Sequence, residues 1–144
     1  MKKHIHRKGE INLDDILSGL YSRSDSYKIG AIAVFIGIVR GIGVKGDVER
    51  LEVEAYEEMA EDRLEKICRE LEGREGIVAV EIHHFVGEFK VGEVLVYVAV
   101  AGSHRREVFE TLIEAVERYK REVPLFKKEM LRSGESYWIE EYTL

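Results

Sequence analysis

From Leu51 to Tyr56 apolar and acidic residues alternate as Leu-Glu-Val-Glu-Ala-Tyr, the period-two pattern of a strand with one wet face. The period then lengthens. Over Glu57 to Glu72 a helical face gathers Ala60, Leu64, Ile67, Cys68 and Leu71, and Gly73 and Gly76 end it. The near-continuous apolar run Ile29 to Val39 predicts a buried strand, with Gly30 and Gly37 allowing close approach or a bulge. Ile77 to Phe85 and Val91 to Ala101 predict two more strands, joined by residues 86–90. Asn12 or Leu13 through Leu20 predicts a short helix with Ile16, Leu17 and Leu20 on one side and Asp14 and Asp15 in its first turn. Residues 22–28 read as a loop. Ser103 is placed to cap a second long helix from His104 to about Glu122, which Pro124 stops. Ser136 to Tyr142 reads as a last strand after the turn at 132–135. This order predicts an α+β fold, a mostly antiparallel sheet with two main helices packed on it.

Composition narrows the field. The 144 residues suit one domain, read as a basic segment and short helix over 1–28 and a main body over 29–144. A single cysteine excludes a disulfide framework and an all-cysteine zinc site. The apolar runs fall well short of the roughly 20 residues of a spanning helix. No apolar signal core follows the basic start, so a cytoplasmic protein with no membrane association is expected. The net charge of −6 argues against a general nucleic-acid binder. Yet cations cluster locally. Lys2, Lys3, Arg7 and Lys8 crowd the start, and residues 118–132 hold Arg118, Lys120, Arg121, Lys127, Lys128 and Arg132 against Glu122 and Glu129. Such a cluster on an acidic chain suits a small anionic ligand.

The second long helix carries the sharpest pattern. At 100° per residue, Phe109, Leu112, Ile113, Val116 and Tyr119 form an apolar stripe. Lys120 falls in its middle and Arg105 on its edge. Cations on a buried face want a partner. Snorkelling or a salt bridge would supply one reading, and an anion-binding pocket the other. Lys127, beyond the turn at Pro124, can face the same pocket as Lys120, and cations held that close would lower one another's pKa. Arg105 and Lys120 lie about 22 Å apart along the axis. If both serve one small ligand, His104 and Arg105 must come from a second copy, which predicts a homodimer with sites spanning the boundary.

The other candidates are weaker. His4 and His6 alternate like strand ligands, but with no carboxylate or cysteine nearby in sequence no metal site is expected. Adjacent His83 and His84 point to opposite faces of a strand. Cys68 reads as core, the glycine loop at 41–47 lacks a phosphate-binding motif, and no Ser/His/Asp grouping is readable. The end, Glu141-Tyr142-Thr143-Leu144, lacks the diglycine tail of a ubiquitin-like carrier.

From about Gly30 to Tyr142 the sequence resembles the large, catalytic subunit family of molybdopterin synthase. The resemblance rests on residues 30–40 (Gly-Ala-Ile-Ala-Val-Phe-Ile-Gly-Ile-Val-Arg), residues 51–59, His83-His84-Phe85-Val86-Gly87-Glu88 and Gly92-Glu93. Its most diagnostic parts are Ser103-His104-Arg105 and the run from Tyr119 to Glu129. It implies a hammerhead-like α/β arrangement and a sulfurtransferase of molybdenum-cofactor biosynthesis. Such an enzyme converts cyclic pyranopterin monophosphate into molybdopterin by forming a dithiolene. It needs no bound cofactor. Its partners would be a second copy of itself and a ubiquitin-like small subunit, whose C-terminal glycine thiocarboxylate supplies the sulfur, so that the assembly is a heterotetramer. The family's substrate-contacting positions fall on Arg40, His104, Arg105, Lys120, Lys127, Lys128 and Glu129, with Lys120 as the catalytic lysine and Lys127 its companion. Many relatives carry a lysine where this chain has Ile38, leaving Lys45 or Lys28 to compensate or the contact to the backbone alone. The main rival reading is a non-catalytic dimeric module that binds a phosphorylated small ligand, and the second is a degenerate scaffold subunit.

Overall fold

A computed structural model of the chain describes residues 3–139. Its elements, in order, are β1 (Ile5–His6), α1 (Leu13–Tyr21), a 3-10 turn (Ser26–Lys28), β2 (Ala31–Ile38), β3 (Ile42–Gly43), β4 (Gly46–Ala55), α2 (Glu57–Glu72), β5 (Ile77–Phe85), β6 (Gly87–Lys90), β7 (Val94–Gly102), α3 (Arg105–Glu122), β8 (Leu125–Leu131) and β9 (Ser136–Trp138). They build two sheets. The first runs β1-β5-β7-β2, parallel between β1 and β5 and antiparallel elsewhere. The second runs β3-β4-β8-β9, with β6 also pairing β4, and is antiparallel throughout. The α+β expectation holds, although one sheet was expected and two form.

Alternation along β5 and β7 divides the core. Val80, Ile82, Val96, Val98 and Val100 pack against Leu64, Ile67 and Leu71 of α2 and Val108, Ala115 and Tyr119 of α3. The opposite face presents Ala79, Ala99 and Ala101, whose small side chains let Ile16 and Leu20 of α1 come close. The Asn12 side chain accepts from the Asp15 amide, and the Asp15 carboxylate accepts from the Asn12 amide, a reciprocal box that starts α1. The α2 face is the expected one, with Ala60, Leu64, Ile67, Cys68 and Leu71 buried.

Several expectations need correction. His104, not Ser103, takes the cap position of α3 and makes no side-chain cap bond. The Ser103 hydroxyl instead donates to the Lys28 carbonyl at 3.1 Å, tying the helix start to the entry of β2. The apolar stripe on α3 is rotated: Val108, Thr111, Ala115 and Tyr119 are buried, while Phe109 and Ile113 are 56% and 64% exposed. Thr111 and Ala115 face the sheet, so a count of large apolar residues misplaces the inner face. Residues 125–131, given no element above, form β8. The segment at 86–90 contains β6, and β4 begins at Gly46 rather than Leu51. β9 ends at Trp138; the rest of the expected last strand lies outside the described residues.

Candidate functional site

A cleft opens where the first sheet, the end of α3 and the start of β8 meet. It is lined by residues 35–40, Val48, Leu51, Leu95, Val96, Tyr119, Lys120, Lys127, Glu129 and Ile139. Each polar member has a traceable position. The register of β2 shifts between Gly37 and Ile38. Backbone bonds then pin Val39, whose amide donates to Glu93 and whose carbonyl accepts from Gly92. Arg40 therefore stands at the mouth, exposed on a fixed root. Lys120 lies in the last turn of α3, half-buried beside buried Tyr119. Among the described residues it makes no ion pair, whereas Arg118 two positions earlier bonds Glu70 and Glu122 at 2.8 and 2.7 Å. The salt-bridge reading of the misplaced lysine thus fails.

Pro124 breaks the helix, and its carbonyl accepts from the Tyr56 amide at 3.2 Å, locking the elbow from which β8 departs. Along β8, Leu125, Lys127, Glu129 and Leu131 share one face. Lys127 and Glu129 pair in register with the buried residues Val53 and Leu51 of β4, which places them inward. Glu129 is only 7% exposed and accepts the Tyr137 hydroxyl. That bond holds the Tyr137 phenol above its ordinary pKa. A side chain at Gly43 would press on the Glu129 carboxylate, so the glycine loop comes this close only because it carries none there. Three cations and one buried carboxylate thus converge on a cleft with an apolar floor, a setting that can hold an anion and move a proton.

The MoaE protein family matches this chain over residues 6–122. The chain belongs to that family. A probable molybdopterin synthase of Haloferax volcanii is 41% identical over 114 residues, 78% of this chain. The match spans only 43% of that longer relative. The molybdopterin synthase catalytic subunit of Pyrococcus abyssi is 37% identical over 136 residues, 94% of this chain and 88% of its own length. The crystal structure of molybdopterin synthase from Staphylococcus aureus superposes with a TM-score of 0.84 at 30% identity, covering 97% of this chain and 98% of that one.

In this MoaE chain the remaining candidates lie elsewhere. His104 and Arg105 are exposed at the opposite end of α3, beside the start of β2, where the Gly30 amide donates to Gly102. Lys128 points to the other face of β8, its Nζ 5.8 Å from the Trp138 ring. Lys28 sits beside Tyr27, next to Ser103 and far along β2 from Ile38. Lys45 lies 4.5 Å over the ring of Tyr137, whose hydroxyl donates to Glu129. His83 and His84 do face apart. His83 joins Glu81 and His6 in a buried chain at 2.8 and 2.9 Å, while His84 meets Tyr119 edge-on at 5.8 Å. His4 bonds Glu65 and the Ile82 carbonyl. The sequence reasoning missed Tyr119 and Tyr137 as partners of the cleft. Residues 125–131 show no period-two alternation of apolar and polar positions, so the sequence carried no local signal for β8 or for Tyr137 opposite Glu129.

Proposed function

We propose that this chain is the catalytic subunit of a molybdopterin synthase, the sulfurtransferase that turns cyclic pyranopterin monophosphate into molybdopterin. One observation carries the reading: Arg40, Lys120 and Lys127 converge on one cleft with the buried carboxylate of Glu129. The substrate brings a cyclic phosphate and the donor an anionic thiocarboxylate. Arg40 and Lys127 hold these negative groups through charge-assisted bonds. Lys120 supplies or receives a proton, and steadies developing negative charge, as sulfur adds and the phosphate ester opens. The sulfur nucleophile arrives on the C-terminal glycine of a small ubiquitin-like subunit. Cys68, buried on the inner face of α2, has no part in it. The cytoplasm is the compartment that suits this chemistry; no helix among the described residues is long and apolar enough to cross a membrane.

A homodimer core completes the site. β2 is an edge strand carrying exposed Ile36 and Ile38, and α3 beside it exposes Phe109 and Ile113. This apolar surface calls for cover. His104 and Arg105 sit at the start of β2 and the cleft at its end. A two-fold axis that sets two β2 edges antiparallel therefore brings Arg105 of the second copy to the cleft of the first. One small subunit at each outer end gives a heterotetramer.

The test mixes the chain with a thiocarboxylated small subunit and cyclic pyranopterin monophosphate. Molybdopterin forms with the native chain, and Lys120→Ala abolishes turnover while the small subunit still binds. A phosphate-binding module without chemistry would bind the pterin and give no product. Full turnover in Lys120→Ala would remove the catalytic assignment.

A further inference from the structure

His84 is fully buried on β5, on the face that packs against α3. Its strand neighbour Val96 and its ring neighbour Tyr119 both line the cleft, so the imidazole stands directly behind the cleft wall. The Nδ1 atom lies 2.8 Å from the Phe85 carbonyl. A carbonyl only accepts, so Nδ1 carries the proton and Nε2 is left with a bare lone pair. That Nε2 has no hydrogen-bond partner, although it is buried. A buried polar atom left unpaired costs stability, and here it lies within the field of two ammonium groups. Burial first, then the charge of Lys127 and more weakly that of Lys120, holds His84 down to a pKa of about 3. The groups that act on the ring are the Tyr119 phenyl edge, the Phe85 carbonyl and these two lysines.

We propose that His84 is a positioning residue of the cleft, whose Nε2 accepts a hydrogen bond from the Lys127 ammonium and so fixes that cation for the bound anion. The inference rests on the synthase reading above. An imidazole of ordinary pKa would gain a proton beside an acidic substrate and repel the lysine it should orient. Buried His84 stays neutral and stays an acceptor. The unpaired nitrogen is then the native chain's reserve for a lysine that moves inward with substrate.

Three readouts test this. In the synthase assay, His84→Leu lowers kcat by about 10–100-fold, with KM changed by less than about threefold. Its urea midpoint stays level or rises, because the unpaired nitrogen is gone. His84→Gln, which restores an acceptor near the Nε2 position, recovers part of kcat. In the complex with cyclic pyranopterin monophosphate, the 15N resonance of His84 Nε2 reads as unprotonated between about pH 5 and 8 and moves in Lys127→Ala. Native kcat in His84→Leu, no gain in His84→Gln over leucine, or an Nε2 resonance indifferent to Lys127→Ala would overturn the proposal. Should His84→Leu fail to fold, the resonance of the native chain decides. A native chain that makes no product at all sinks the synthase reading instead, and the Nε2 resonance still judges the His84–Lys127 bond.

Discussion

The hydroxyl of Tyr137 on β9 donates to the carboxylate of Glu129 on β8, one strand away and in direct register. Glu129 is nearly covered, so this bond offsets part of the cost of burying its charge. Tyr137→Phe is expected to lower stability by about 1–2 kcal/mol, the usual effect of leaving a buried acceptor short of a donor. Urea unfolding of the two proteins measures it. Identical midpoints would mean that Glu129 finds another donor.

Lys127 and Lys128 test the alternation of β8. The first lies in the cleft and the second beside Trp138 on the outer face. Lys127→Ala should reduce kcat/KM by about 100-fold or more, as loss of a charged contact to a phosphate does. Lys128→Ala should stay within a few-fold. Equal damage from both would show that the outer face also meets substrate or the small subunit.

Arg40 stands exposed at the mouth of the cleft, so on the proposed reading it should meet an incoming anion before the half-buried lysines do. Arg40→Ala should raise KM by roughly 10-fold with a smaller change in kcat, the signature of lost ground-state binding. Steady-state kinetics with cyclic pyranopterin monophosphate as the varied substrate separate the two constants.

Sites shared between copies give a sharper signature. Arg105→Ala and Lys120→Ala proteins should each be inactive. Unfolded and refolded together, they should recover up to about a quarter of native activity, because half the dimers are mixed and each mixed dimer keeps one intact site. No recovery would mean that both residues serve one copy. Ile113→Glu, on the exposed face of α3, should shift the sedimentation of the protein toward the monomer.

Acid should weaken the fold through His6. Burial, His83 and Lys3 hold its pKa near 4, against an ordinary 6.5, although Glu10 and Glu61 pull the other way. The unfolded chain therefore binds the proton first, and stability falls as pH drops from about 6.5 to about 4. Below that the contribution is fully lost and levels off. His84, depressed to about 3, acts in the same direction over a wider window. Urea midpoints between pH 7 and 5 should decline, and His6→Phe should flatten the slope.

The helices α1 and α2 and the strands β2, β5 and β7 were legible because their apolar residues repeat at the period of the element. Lys120 was legible because a cation interrupts a stripe. What escaped depends on partners far along the chain. Nothing local marks Leu125 to Leu131 as a strand, since its inward positions include Lys127 and Glu129. Those two side chains tolerate that face because it opens on the cleft. The phase of α3 was misjudged because Phe109 and Ile113 look like core when a helix is weighed alone. The open end of His84 depends on what α3 lays over it, which no strand pattern reveals.

The elbow at Val123 and Pro124 places the two lysines of the cleft on separate bodies, one on a helix and one on a strand. One extra residue inserted there would invert β8. Lys127 would move to the outer face, Phe126 would take its inward place and Lys128 that of Glu129, while Glu129 would lose Tyr137. The exposed loop at 41–47 can change length far more freely. Length variation among homologous chains should therefore be plentiful in that loop and nearly forbidden between Tyr119 and Lys127.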